Sequence, residues 1–136
     1  MFCREHVARL RDHQREIDDG GAGIAGIGLG GREYAISFRA ETGIAFPLLI
    51  DETRAAYNAA GLRKGTLWEL LLPFNFEARR RAAREGHRQH KVGRDPFQLG
   101  GTFIFAPGDR DLYVHRAKSY GDVASIESLL AALRSR

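Results

Sequence analysis

The stretch from residue 102 to residue 116 constrains this chain more than any other. Residues 102–106 are apolar throughout, Pro107-Gly108-Asp109 is turn chemistry, and residues 112–116 alternate apolar with polar, so the pattern predicts a β-hairpin. From Asp122 onward, Val123, Ile126, Leu129, Leu130 and Leu133 recur at helical spacing and predict a C-terminal helix able to cover one sheet face. Upstream of the hairpin, strands and helices alternate. Residues 4–18 predict an amphipathic helix with Val7, Leu10 and Ile17 on one stripe, and Cys3 lies on that stripe at its N-terminal end. A glycine turn at 20–23 leads into a small apolar strand at 24–29. Tyr34, Ala35 and Phe38 suggest a helix ending at Gly43. Residues 46–50 read as a strand, with Pro47 pointing to a sheet edge and Asp51 closing it. A helix over 52–60 ends on Gly61, Thr66 and Glu69 form a capping box for another, and Pro73 should break that helix before a further stretch at 75–85 and a polar connection at 86–98. This order is α/β with a mixed sheet. An opening helix is unusual in it, because a right-handed βαβ unit needs a strand before the helix.

The chain has 136 residues, 43% of them apolar, which suits a single domain over residues 1–136 with one core. No apolar run reaches the roughly 18 residues of a membrane span and no secretory pattern opens the chain, so the expectation is a cytoplasmic protein that engages no membrane. The net charge of +4 is local: residues 79–94 hold seven Lys or Arg against one Glu. One cysteine excludes an intramolecular disulfide and a cysteine-only zinc site.

Several patterns compete for chemistry. Gly26-Ile27-Gly28-Leu29-Gly30-Gly31 matches G-x-G-x-x-G, and Asp51 stands where a dinucleotide fold places its ribose-binding acid. That reading fails on context, since only Ile24 and Ala25 precede Gly26, and the glycines then belong to a tightly packed strand. His87 and His90 suggest a metal but lack a third ligand nearby, and surface histidines are the expectation. His6 and His13 share the first helix with Cys3; His6 could lower the thiol's pKa if the two side chains meet, the alternative being a His that faces solvent. Arg79, Arg80, Arg81, Arg84, Arg88, Lys91 and Arg94 could contact phosphates, but few aromatic residues are interleaved for stacking, and a solvated face is the simpler reading. Cys3 is the strongest catalytic candidate, because the N–H groups at a helix N-terminus stabilise a thiolate. Its alternative is an inert cysteine facing the core.

Phe2-Cys3-Arg4-Glu5-His6, the segment 46–51 followed by Ala56-Tyr57 and Gly61-Leu62, Lys64-Gly65, and Asp95-Pro96, Gln98, Gly100-Gly101-Thr102-Phe103 and His115-Arg116 together resemble the peroxiredoxin-like 2 family, in its AhpC/TSA antioxidant-domain branch. The similarity runs across essentially the whole chain. It implies a thioredoxin-like, three-layer α/β/α fold with a mixed sheet, and a Cys-x-x-Cys pair where a strand meets the first helix. Cys3 matches the second, resolving cysteine. The first would fall one residue before Met1, so the resemblance implies an N-terminally incomplete chain, either begun at an internal methionine or truly truncated. The strand lost with it would lie between residues 24–29 and 102–106, so the chain is expected either to fold poorly or to be completed by a partner's strand. Gly101 stands where thioredoxins carry a cis-proline.

The function this resemblance implies is a peroxiredoxin-like thiol–disulfide redox protein, acting on a peroxide or disulfide and drawing electrons from a thioredoxin or a low-molecular-weight thiol. Cys3 is the candidate catalytic residue. Gly101 and Thr102 would shape the site, and Arg116 would either stabilise an anion or serve as a structural surface residue. No metal, nucleotide or other cofactor is implied, and homodimerisation stays open. Two alternatives remain: a redox-inactive thioredoxin-fold binding module, and a nucleic-acid or anionic-surface binder working through residues 79–94.

Overall fold

A computed structural model describes residues 2–71, 80, 95 and 97–135. In chain order the elements are α1 (Phe2–Asp12), α2 (Gln14–Asp19), β1 (Gly26–Gly28), α3 (Arg32–Thr42), β2 (Leu48–Ile50), α4 (Ala55–Ala59), α5 (Leu67–Leu71), β3 (Gly101–Ala106), β4 (Arg110–Arg116) and α6 (Ile126–Arg134). The expected helix beyond Pro73 and the polar connection at 86–98 lie largely outside the described residues.

Two strand pairs form the sheet layer. β1 pairs with β2 in parallel, Ile27 opposite Leu49, and β3 pairs with β4 antiparallel, Thr102 opposite His115 and Phe103 opposite Val114. Among the described residues no ladder joins the two pairs. Gly26 N–H donates to Pro47 O and Asp51 N–H to Gly28 O, so the intervening Ile27 turns its own N–H and C=O away from β2. The Tyr57 hydroxyl, on α4, donates to that Ile27 carbonyl at 2.9 Å. A side chain thereby satisfies a backbone group that a neighbouring strand would otherwise take.

Each pair has its own apolar cluster. Phe38, Ile44 and Phe46 centre the first, with Val7, Ile24, Tyr34 and Leu48 around them. Ala124, Ile126 and Leu129 centre the second, against Ile104, Tyr113 and Leu130. Leu10 of α1 packs on both clusters. The predicted apolar stripe therefore does its work across the two halves. The predicted single helix over 4–18 is interrupted at His13, whose backbone leaves the helical region at φ −104°, ψ 13° and whose ring Nδ1 lies 2.9 Å from Arg9 O.

Local signals set the other boundaries. Gly43 ends α3 in the left-handed region at φ 66°, where a Cβ is strained, and donates to Arg39 O. The capping box before α5 is present: Thr66 N–H donates to Glu69, and Glu69 N–H donates to Thr66 Oγ1. The hairpin turn carries positive φ at Gly108 and Asp109. The final helix begins at Ile126 rather than at Asp122. Ser125 caps it by accepting from Ser128 N–H, and Asp122 accepts from Lys118 N–H in the preceding loop.

Candidate functional site

Cys3 occupies the first turn of α1 and is exposed. This goes against the alternative of an inert cysteine facing the core. Val7 packs on the Phe38 cluster and Leu10 on both clusters, whereas Cys3 belongs to neither. One turn on from Cys3, His6 Nε2 lies 3.1 Å from Thr102 Oγ1 on β3. Residues three apart on a helix are surface neighbours, so this contact sets the Cys3 turn near the start of the hairpin. On the other side stands Tyr57. Burial, and after it the charges of Cys3 and Asp51, push its phenol up to about 12. The thiol and the Tyr57–Ile27 contact thus share one electrostatic neighbourhood.

The first half holds α1 by charge. Arg4 is 4% exposed, its Nε donates to Glu41 of α3 at 2.9 Å, and its guanidinium lies 5.4 Å over the Phe38 ring. Arg11 donates to Thr42 O at 2.6 Å. Glu5 is almost wholly buried and pairs with Arg9 at 3.0 Å.

His6 neither faces solvent nor serves as a cation for the thiol. Burial first, then the nearby His115 and Arg9, bring its imidazole down to about 4, so it is neutral near pH 7 and brings no positive charge to Cys3. The sequence offered no sign of this, because the group that holds the ring is 96 residues away.

The proposed shaping residues are placed as follows. A Cβ on Gly101 would fall 2.7 Å from Leu62 Cδ2 and 2.8 Å from His115 O, so the position requires glycine for want of space. Thr102 bonds His6 and stands opposite His115 across the hairpin. Arg116 Nε donates to Ala60 O at 2.6 Å, and its guanidinium lies 5.5 Å over the Phe103 ring. These contacts favour the structural alternative for Arg116, tying β4 to the end of α4.

Asp51 is a cap. Its carboxylate accepts from the N–H groups of Ala55, Ala56 and Tyr57 at 3.0, 2.9 and 3.2 Å, fixing the start of α4. Gly26 and Gly28 lie within β1, and a Cβ on Gly26 would come 3.1 Å from Leu48 Cδ1, so the tight packing is against the neighbouring strand. The cleft beyond the ends of β1 and β2 measures about 140 Å³ and is lined by Leu29, Gly30, Asp51, Glu52, Arg54 and Asp95. Arg54 and Lys64 both engage Asp95 there, at 2.5 and 2.7 Å. Such a cleft is far too small for a dinucleotide. Among the described residues no group of three His, Cys, Asp or Glu could hold a metal ion, and no helix is long and apolar enough to cross a membrane. His87, His90 and the basic run lie outside the described residues, apart from an exposed Arg80.

Comparison with known proteins accords with this geometry. The chain is 28% identical to peroxiredoxin-like 2A of Danio rerio over 142 residues, covering 98% of this chain and 62% of that protein. It is 26% identical to the chloroplastic thioredoxin-like protein AAED1 of Arabidopsis thaliana over 144 residues, covering 97% of this chain and 56% of that protein. The chain therefore spans about three-fifths of the length of these relatives. No solved structure gives a significant match. The family described as AhpC/TSA antioxidant enzyme matches over residues 9–119, a span that includes β1 to β4 and starts six residues after Cys3. On that match, and with the thioredoxin-like α/β architecture described above, the chain belongs to the AhpC/TSA antioxidant enzyme family.

Proposed function

We propose that this chain is a peroxiredoxin-like thiol-redox domain in which Cys3 acts as a resolving thiol. The observation that carries the reading is the exposed Cys3 on the first turn of α1, next to the open strand pairs and inside a family of antioxidant enzymes. The Cys3 thiolate attacks the sulfenic sulfur of a second cysteine that a peroxide has oxidised. An S–S bond forms, the S–O bond breaks, and the departing hydroxide takes a proton to become water. A thioredoxin or a low-molecular-weight thiol then reduces the disulfide, returning Cys3 as a thiol. Gly101 lets the start of β3 pack closely on Leu62 beside the site, and Thr102 holds the helix that presents the sulfur. No cofactor takes part in this chemistry. Cytoplasmic placement and a single domain over residues 1–136 complete the reading, with a peroxide or disulfide as substrate and a homodimer as one arrangement that supplies the second thiol.

The test is mass spectrometry of the chain after treatment with peroxide and a small thiol. The expected product is a mixed disulfide at Cys3 that a thioredoxin system reverses and that Cys3→Ser abolishes. An alkylatable Cys3 that never yields this product would overturn the reading in favour of a redox-inactive binding module. Two observations favour that second reading: the family match begins at residue 9, and the His6 ring is neutral, so it does not aid the thiolate.

A further inference from the structure

We infer that His6 is the positioning residue for the Cys3 turn, a neutral-imidazole latch between α1 and β3 that opens when the ring takes up a second proton. This inference rests on the reading of Cys3 above for its functional meaning, but its geometry stands apart from it. A neutral imidazole has one N–H and one lone pair, and an imidazolium has two N–H groups that both need acceptors. At His6 only one acceptor is supplied. Nε2 lies 3.1 Å from Thr102 Oγ1, while Nδ1 is buried and has no hydrogen-bond partner among the described residues. A proton added to the free ring nitrogen would leave a charged N–H buried without an acceptor, a costly arrangement in a protein interior.

The surroundings add to this. From α1 itself, Arg9 faces the ring and is paired with the buried Glu5. From β3 comes the uncharged Thr102. From β4 comes His115, whose Nε2 lies 3.1 Å from Asp122 Oδ1 in the loop before α6. Asp122 lies against His115 and accepts from Lys118 N–H. The imidazolium of His6 would therefore face a second imidazole and a guanidinium.

The sign follows from the ring's position near 4 in the fold against about 6.5 in an unfolded chain. The unfolded or undocked form binds the proton first. Docking of α1 on the hairpin is fully present above about pH 6.5 and is lost as pH falls from there towards 4, the docking equilibrium weakening on the order of a hundredfold. The contacts of α1 with α3 through Arg4 and Arg11 do not involve this ring. The opening is therefore specific to the hairpin side, and it moves the turn that carries Cys3.

Amide hydrogen exchange of the full chain between pH 7.5 and 4.5, corrected for intrinsic rates, tests this. The expected result is a loss of protection of at least tenfold in residues 2–12 as pH falls below 6.5, larger than in β3 and β4. His6→Gln, which keeps a neutral partner for Thr102, should make α1 protection flat across the same range. Unchanged protection of α1 down to pH 4.5, or a His6→Gln chain that loses protection as the native chain does, would overturn the inference. If His6→Gln does not fold, NMR titration of the native ring decides: a midpoint near 4 that tracks α1 resonances supports the latch, and a midpoint near 6.5 ends it. Neither readout uses thiol chemistry, so a chain that forms no mixed disulfide at Cys3 leaves the latch test standing.

Discussion

The two halves of the molecule grip α1 by different chemistry. The half built on β1, β2 and α3 holds it with a part-buried ion pair, a cation over an aromatic ring and an arginine on a helix-end carbonyl, through Arg4 and Arg11. The half built on β3, β4 and α6 holds it with one uncharged imidazole–hydroxyl contact and the shared Leu10. An ion pair tolerates acid until its carboxylate is protonated, near or below pH 4, whereas a buried neutral imidazole gives way on the acid side of 6.5. One helix thus has a firm edge and a releasable edge, and the exposed thiol rides at the end where they meet.

Removing the centre of the first half should have the largest effect. Phe46 is 4% exposed within the Phe38 cluster, and Phe46→Ala should cost about 3–5 kcal/mol in urea unfolding. Leu129→Ala, at 3% exposure in the other cluster, should cost about 2–5 kcal/mol. If hydrogen exchange shows each substitution loosening only its own half, the clusters are separate units coupled through α1. If both loosen everything, the division into halves is wrong. Arg4→Met should cost about 2 kcal/mol, because it removes the cation over Phe38 and the partner of the exposed Glu41, and should destabilise equally at pH 5 and pH 7. An acid-dependent cost there would blur the contrast with His6. Smaller still, Tyr57→Phe should cost about 1 kcal/mol by freeing the Ile27 carbonyl, and Ser125→Ala about 1 kcal/mol by uncapping α6. Both are measured by the shift in unfolding midpoint.

What could be read from the sequence follows the range of the forces involved. The hairpin, the capping box at Thr66 and Glu69, and the stop at Gly43 are set within a few residues, and each lies where the sequence put it. The late start of α6 reflects competition between two caps: Asp122 looked like a beginning, but its carboxylate serves Lys118 N–H and the true cap is Ser125. Of the rejected nucleotide motif only Gly26 and Gly28 lie inside a strand; Gly30 and Gly31 form the turn into α3, and Asp51 caps α4. The candidate site was legible only as a residue and an address. That Cys3 is exposed depends on where the two clusters end, and that His6 is buried depends on Thr102 arriving from the far end of the chain. Neither fact leaves a trace in local spacing.

The hydroxyl of Tyr57 on the carbonyl of Ile27 has a further consequence. A bare strand margin is a template on which another extended chain can crystallise, copy upon copy, into a fibril. Here the middle rung of a three-residue margin is occupied by a ring from the same molecule, so an incoming chain must first displace a phenol before it can read the ladder.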